Sequence, residues 1–370
     1  MSSWLETCRK VYNYALRERK DWMASRKCSI DRCSLKLEYI MATDAPYPGY
    51  YQQQNALTAA KVELIHLKDV QSQVLQEPIR RIDGAFAAFR DRGFGFPRFK
   101  KFGQYRSFTF PQFKNNPIRG NQIKLPKLGE VTINLHRPIP DGFVIKQVRV
   151  IRKADIWYAS VNIQSDVSVP DPMPYGHAVG VDIGLEKFLS TSDGQLVKPP
   201  KFFRVMQGKL KLLQRRLSRK QRRSKNYEKA RLKVARMHHT IDNSRKNFHY
   251  QQAHRLCNGA AQIFMEDLDY RISAKGFLGK HMLDAGFGQF RSITQYVCWK
   301  RGKTFGVVDA RYTSQECPEC GVIKKKDLSE RVHRCECGYT TDRDVAAAQV
   351  ICTRGLRGME TACGSRSGGE

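Results

Sequence analysis

The sequence predicts a multi-domain α+β protein with an N-terminal helical lobe, a β-rich barrel-like module and an α/β domain with an inserted metal-binding ribbon. Three observations carry this. Apolar residues recur at helical spacing up to about residue 90, then alternate at strand spacing to about 165. Beyond 176, short apolar runs alternate with helical stretches. Four of the eleven cysteines cluster between 317 and 337. A chain of 370 residues has room for about two or three domains.

Residues 4–23 place Trp4, Leu5, Cys8, Val11, Tyr12, Ala15 and Leu16 on one helical stripe, with Arg and Lys on the remaining surface. Residues 28–55 carry Pro46, Pro48 and Gly49 and read as irregular. A second helical stretch, Ala56 to Arg90, is expected to break near Pro78, since an interior proline lacks the N–H that a helix needs. Its stripe is Val62, Leu64, Ile65, Val70, Val74, Ile79, Ile82, Phe86 and Phe89. Residues 1–92 are therefore the helical lobe. The texture changes at Gly93-Phe94-Gly95-Phe96-Pro97. Residues 105–110 alternate, and 131–135, 143–148 and 157–163 read as further strands. This module, 93–170, interleaves basic and aromatic residues, a pattern suited to stacking bases and neutralising phosphates.

Asp166 to Tyr175 is proline-rich and reads as a linker. An α/β domain is expected over 171–311. It opens with the apolar strand Ala178–Leu185, which holds one acid, Asp182. A second strand at 187–192, the turn signal Asp193-Gly194 and a third strand at 195–198 follow. An antiparallel meander whose first strand holds an Asp is how RNase H-like nuclease folds begin. A basic helical hairpin is expected over 204–250, turning near Ser224-Lys225-Asn226. Then come an apolar strand ending in Glu266 and Asp267, a helix at 287–300 and a strand at 304–308. The ribbon occupies 312–340, an Ala-rich helix at 341–357 completes the domain, and 358–370 is a Gly/Ser-rich flexible tail.

Lys plus Arg is 65 and Asp plus Glu is 35, a net charge of +30. With 41% hydrophobic residues the chain can build real cores, which excludes a basic disordered tail as the whole protein. No run of 18 apolar residues exists to cross a membrane, and the first 20 residues lack the apolar segment of a secretory signal. A cytoplasmic, nucleoid-associated protein with no membrane partner is expected. The charge points to nucleic acid. Between Lys209 and Lys246 stand fifteen Lys and Arg against Glu228 and Asp242, so pairing within the helices cannot neutralise them.

Cys317-Pro318-Glu319-Cys320-Gly321 is a zinc-knuckle sequence, in which the turn brings two thiolates to one tetrahedral ion. Its second half, Cys335-Glu336-Cys337-Gly338, is one residue shorter than usual, and His333 is an alternative ligand. Four thiolates, Cys317, Cys320, Cys335 and Cys337, leave no open position, so Zn²⁺ here would be structural. Asp182, Glu266 and Asp344 each sit at the edge of an apolar element, in the order strand, strand, helix. Clustered carboxylates need cations in a low-dielectric site. Two Mg²⁺ would compensate them and build a phosphodiester-cleaving centre. His238, His239, His249 and His254 read as packing or phosphate-facing residues, not catalytic ones.

Several motifs together resemble the TnpB (OrfB) family of insertion sequences, kin to the small type V CRISPR nucleases. They are Gly180-Val181-Asp182-Ile183-Gly184-Leu185, Met265-Glu266-Asp267-Leu268, Thr313-Ser314-Gln315 with the cysteine ribbon, and Asp342-Arg343-Asp344 followed by Ala346-Ala347-Ala348. Ser72-Gln73-Val74-Leu75-Gln76 and Gly95-Phe96-Pro97-Arg98-Phe99-Lys100 extend the resemblance to the N-terminal half. It implies a RuvC-type, RNase H-like nuclease domain in which Asp182, Glu266 and Asp344 hold two Mg²⁺, with Asp342 as the runner-up for the third acid. It implies that 93–170 is a wedge module and 1–92 a recognition lobe. These would bind a guide RNA derived from the transposon end and read a short motif beside a double-stranded DNA target, with base pairing reading the rest. The family usually opens with a wedge strand, which is expected to be missing here, and commonly has Asn where Ala346 stands. The implied activity is RNA-guided DNA endonuclease. A non-cleaving RNA-guided DNA-binding protein and an RNase H-fold DNA transposase are the alternatives, and monomer or dimer stays open.

Overall fold

The computed structural model describes residues 1–27, 44–166, 168, 171, 176–200, 202–268, 285–327 and 330–364. Cys28, Cys33 and most of the proline-rich linker lie outside them. The chain divides into two units, Met1–Asp166 and Val167–Glu370.

The first unit holds α1 (Ser2–Ser25), α2 (Tyr50–Glu63), α3 (Ser72–Arg92), β1 (Ser107–Phe110), β2 (Ile118–Arg119), β3 (Gln122–Leu125), β4 (Gly129–Thr132), β5 (Val144–Lys153) and β6 (Ile156–Gln164). The α1 stripe is buried as its spacing predicts. The second helical stretch breaks at a different place. The interruption is a 3₁₀ turn at Ile65–Leu67, and α3 runs unbroken through Pro78. Without an N–H at Pro78, the carbonyl of Val74 one turn earlier has no helical donor. The thiol of Cys8 on α1 points at that oxygen, 3.9 Å away. Val62, Leu64 and Ile65, expected in the stripe, are exposed, because the break turns them out of register with α3.

Among the described residues, the strands of this unit form two separate antiparallel sheets, β1-β5-β6 and β2-β3-β4, and not one closed barrel. The segment expected as a strand over 131–135 leaves its ladder after Thr132. The helices and β1 share one core across the expected boundary at residue 92. Trp4 of α1 packs against Phe108 and Phe110, with ring centres 5.5 and 6.1 Å apart. Both faces of β1 are covered, so burial does not follow the alternation of its sequence.

The second unit holds β7 (Ala178–Asp182), β8 (Leu189–Thr191), β9 (Leu196–Val197), α4 (Phe202–Ser218), α5 (Lys225–Gly259), β10 (Gln262–Glu266), α6 (Phe287–Lys300), β11 (Thr304–Val308), β12 (Val332–Arg334), β13 (Thr340–Asp342) and α7 (Arg343–Gly364). Five strands make a mixed sheet in the order β11-β10-β7-β8-β9. β7, β8 and β9 form the antiparallel meander, while β10 lies parallel to both β7 and β11. The turn expected at Asp193-Gly194 is present, with Gly194 at φ 82° and its N–H donating to the Thr191 carbonyl at 3.0 Å. Ser224, placed in the turn by sequence, caps α5 by accepting from the Tyr227 N–H at 3.0 Å. α7 reaches Gly364, past the start expected for a tail at 358.

Strand alternation splits the sheet into two faces. Val179, Val181, Ile263 and Met265 face a core shared with Ala253, Leu256 and Cys257 of α5 and Phe290, Val297 and Cys298 of α6. The alternate residues Gly180 and Phe264 face α7. A Cβ on Gly180 would lie 2.0 Å from the Ala348 carbonyl oxygen, and one on Gly355 would lie 2.2 Å from the Phe264 ring. Glycine is therefore what lets helix and sheet approach. Asp182 and Glu266 continue that same alternate set, so they fall on the face that α7 covers.

Candidate active site

The pairing of Met265 with Val181 on parallel strands makes Glu266 and Asp182 the next pair, at the C-terminal ends of β10 and β7. Asp344 lies in the first turn of α7. The three acids thus meet at one end of the sheet. Burial first, then the charges of Glu266 and Asp344, push the Asp182 carboxyl up to about 7. Glu266 is also raised by burial, opposed by a hydrogen bond from the Thr313 hydroxyl and by the charge of Arg354.

Cations stand on the Asp344 side. Lys187 lies 2.5 Å from Asp342 and 3.4 Å from Asp344, and Arg343 lies 3.3 Å from Asp344. Asp342 has both oxygens engaged: Oδ1 accepts the Asp344 N–H at 3.0 Å and Oδ2 accepts from Lys187. It caps α7. Burial raises its carboxyl, but Lys187 and the backbone N–H groups more than offset this and hold it below the usual range. The same ion pair outweighs burial at Lys187 and raises that amine.

Thr313 stands in a sequence motif that gives it no role by itself, and nothing in the sequence marks Lys187 or Arg354. The Thr313 hydroxyl donates to Glu266 Oε1. The Arg354 guanidinium donates to the carbonyls of Asp309 at 2.9 Å and Arg311 at 2.7 Å, and to the Glu316 carboxylate. No local pattern flags these partners, which are 38 to 47 residues apart in the chain.

The four cysteine sulfurs lie within 4.8 Å of one another, a group that could hold a structural metal such as zinc. Cys317 and Cys337 Sγ are 3.7 Å apart, and Cys320 and Cys335 Sγ 3.5 Å. The edge of a tetrahedron with Zn–S bonds of about 2.3 Å is about 3.8 Å. The short second knuckle reaches the group because Gly338 turns at φ 91° and donates to the Cys335 carbonyl at 3.0 Å. His333 is not part of it. Its ring is buried on β12, with Nδ1 accepting from Lys326 Nζ.

His249 is buried, stacks on Phe188 at 5.5 Å, and donates from Nε2 to the Ala285 carbonyl at 2.9 Å. Burial pushes its imidazole down to about 4, so it is a neutral packing residue. Along α4 and α5, the two acids between Lys209 and Lys246 are engaged by Arg231 at 2.7 Å and by Arg245 and Lys246 at 3.2 Å each. Fifteen cations against two acids leave this stretch strongly positive. No helix among the described residues is long and apolar enough to cross a membrane.

Known proteins are similar to this chain. A family described as "Probable transposase" (OrfB of IS605) matches residues 160–274. A "Helix-turn-helix domain" of the same group matches 1–28, and a "Cas12f1-like, TNB domain" matches 287–351. The "Putative RNA-guided DNA endonuclease InsQ" of Escherichia coli K12 is 34% identical over 308 residues, covering 78% of this chain and 76% of that protein. A "Putative RNA-guided DNA endonuclease" of Streptomyces pristinaespiralis is 34% identical over 323 residues, 85% of this chain and 79% of its own. The protein in a structure of a Cas12f1–sgRNA–target DNA complex superposes with a TM-score of 0.57 over 95% of this chain and 81% of that one, at 12% identity, a likeness of fold. On these likenesses the chain belongs to the OrfB (TnpB) family of insertion-sequence proteins.

Proposed function

We propose that this chain is an RNA-guided DNA endonuclease that cleaves a double-stranded target beside a short motif by Mg²⁺-dependent hydrolysis. The observation that carries it is the convergence of Asp182, Glu266 and Asp344 at one end of the mixed sheet. The names of the two 34% identical relatives support the guided activity. The strand order, an antiparallel meander extended by two parallel strands, supports a RuvC-type, RNase H-like reading of the second unit.

The donor set fits divalent cations. Asp182 is half-buried and Glu266 buried, the site disfavours the ionisation of both, and a hard cation offsets that cost. Asp182, Glu266 and Asp344 would hold Mg²⁺, which supplies Lewis-acid activation of water and charge stabilisation at the leaving oxygen. Lys187 and Arg343 orient Asp344. Asp342 holds the first turn of α7 through its cap and is a supporting residue, not a third ligand. The cysteine group fits Zn²⁺, with His333 outside it. Metal analysis is expected to find one zinc per chain, and Cys320→Ser to lose it. A wild-type chain free of zinc would sink that assignment.

Cations supply the nucleic-acid surface. α4 and α5 would track phosphates of guide, target or heteroduplex. In the first unit, read as wedge module and recognition lobe, an open cavity of 660 Å³ beside β2–β4 is lined by Lys114, Arg119, Lys124 and Lys127 against one acid, Glu130. The test is to express the chain with its downstream DNA, sequence the RNA that copurifies, and offer matching duplex with Mg²⁺. Bound RNA of one defined sequence and cleavage abolished in Asp182→Ala are expected. Absence of a defined RNA refutes the guide, and cleavage by Asp182→Ala refutes the site.

A further inference from the structure

We propose that Thr313 is a positioning residue for Glu266 and that Arg354 holds it there from α7. The helix that bears Asp344 then also sets the carboxylate on β10. The proposal rests on the nuclease reading of the acid cluster.

Thr313 is 4% exposed and Glu266 7%, so water does not compete for their hydrogen bond. The threonine has one hydroxyl proton and gives it to Glu266 Oε1; the Ala310 carbonyl, 3.1 Å away, is the alternative acceptor. A buried carboxylate with one oxygen fixed presents the other in a defined direction. Partners of this kind orient metal-binding carboxylates, and losing one typically costs about 10–100-fold in metal affinity or activity.

Thr313 sits on a connection between β11 and the ribbon, outside any helix or strand. Arg354 organises that connection. One guanidinium nitrogen reaches the carbonyls at 309 and 311, and the other reaches the Glu316 carboxylate, so the grip straddles Thr313. Such a forked, charge-assisted grip fixes geometry better than a single contact. Gly355, the next residue, lets α7 close on Phe264, two residues before Glu266 on β10. Neighbouring positions on α7 therefore fix the strand that carries Glu266 and the connection that holds its side chain.

The experiment measures Mn²⁺ binding by the full-length protein, using the EPR signal of free Mn²⁺, alongside the Mg²⁺ concentration giving half-maximal cleavage. Thr313→Val keeps the shape of the side chain and removes the donor. It is expected to weaken Mn²⁺ binding about 10–100-fold. Thr313→Ser keeps the hydroxyl and should restore wild-type binding, which a purely packing role would not predict. Arg354→Lys keeps the charge, loses the fork, and should weaken binding in the same direction at unchanged melting temperature. It also stands in should Thr313→Val fail to fold. Glu266→Gln is the control. Thr313→Val or Arg354→Lys binding like wild type while Glu266→Gln loses the ion overturns the positioning role alone. Glu266→Gln binding like wild type overturns the site reading beneath it.

Discussion

Gly180→Ala is expected to unfold the second unit several degrees earlier and to abolish cleavage. The new Cβ would lie 2.0 Å from the Ala348 carbonyl oxygen, 2.5 Å from the Cys352 nitrogen and 3.0 Å from its Cα. All three are backbone atoms of α7, so no side chain can rotate away and the helix itself must move. Overpacking of a close-packed core costs about 1–3 kcal/mol and sometimes more. With backbone on both sides the cost is set at about 3 kcal/mol, or about 6–12 °C for a unit of this size. Asp344 and Arg354 ride on α7, so the displacement also reaches the acid cluster. Gly208→Ala is the control: Gly208 is helical and its added Cβ meets nothing within 4 Å. Alanine there should be neutral or stabilise by up to about 1 kcal/mol. Thermal unfolding of both variants decides it, and equal melting temperatures for Gly180→Ala and wild type would refute the packing claim.

Asp182→Asn is expected to make the metal-free protein more stable while destroying its activity. The Asp182 carboxyl titrates near 3.8 unfolded and about 7 folded. The folded state therefore holds a proton that the unfolded state has released, and stability falls as pH rises from about 4 to about 7. A shift of this size corresponds to about 2–4 kcal/mol above pH 7, after allowing for solvent at a site that is only partly covered. Asn carries no charge, so the variant should lose that pH slope and melt higher at pH 7.5 without Mg²⁺. Added Mg²⁺ should stabilise wild type and leave the variant unmoved. Cleavage should fall by about 10³-fold or more, the several kcal/mol that a bound metal contributes to the reaction. Melting curves at pH 4 to 8 check the first half. An Asn variant with the wild-type pH slope would show that Asp182 is not the titrating group.

These two expectations rest on features of different legibility. Asp182 stands out in the sequence, because one acid in an apolar strand is conspicuous. The need for glycine at 180 does not, since it depends on a helix 168 residues downstream coming within contact of the strand. The path of α3 through Pro78 is a case of the same kind. A proline predicts a break from local geometry, but the cysteine thiol that turns toward the freed carbonyl comes from another helix, 66 residues away. Likewise the boundary expected at residue 92 marks a change of secondary structure and not of core, because Trp4 crosses it to reach Phe108 and Phe110.

By itself the sequence determined what is written in local spacing: the α1 stripe, the β7–β9 meander, the basic hairpin, the four cysteines and the three acids at the ends of apolar elements. Periods of 2 and 3.6 residues and knuckle spacings involve neighbours a few positions apart, and those neighbours are fixed by the chain. Only the tertiary structure decided that Asp342 caps α7, that His333 pairs with Lys326 while four sulfurs meet, and that the Thr313 hydroxyl reaches Glu266 on a connection that Arg354 grips. Those choices depend on how elements dock across tens to more than a hundred residues of chain. There burial and the nearest opposite charge, not spacing, select the partner.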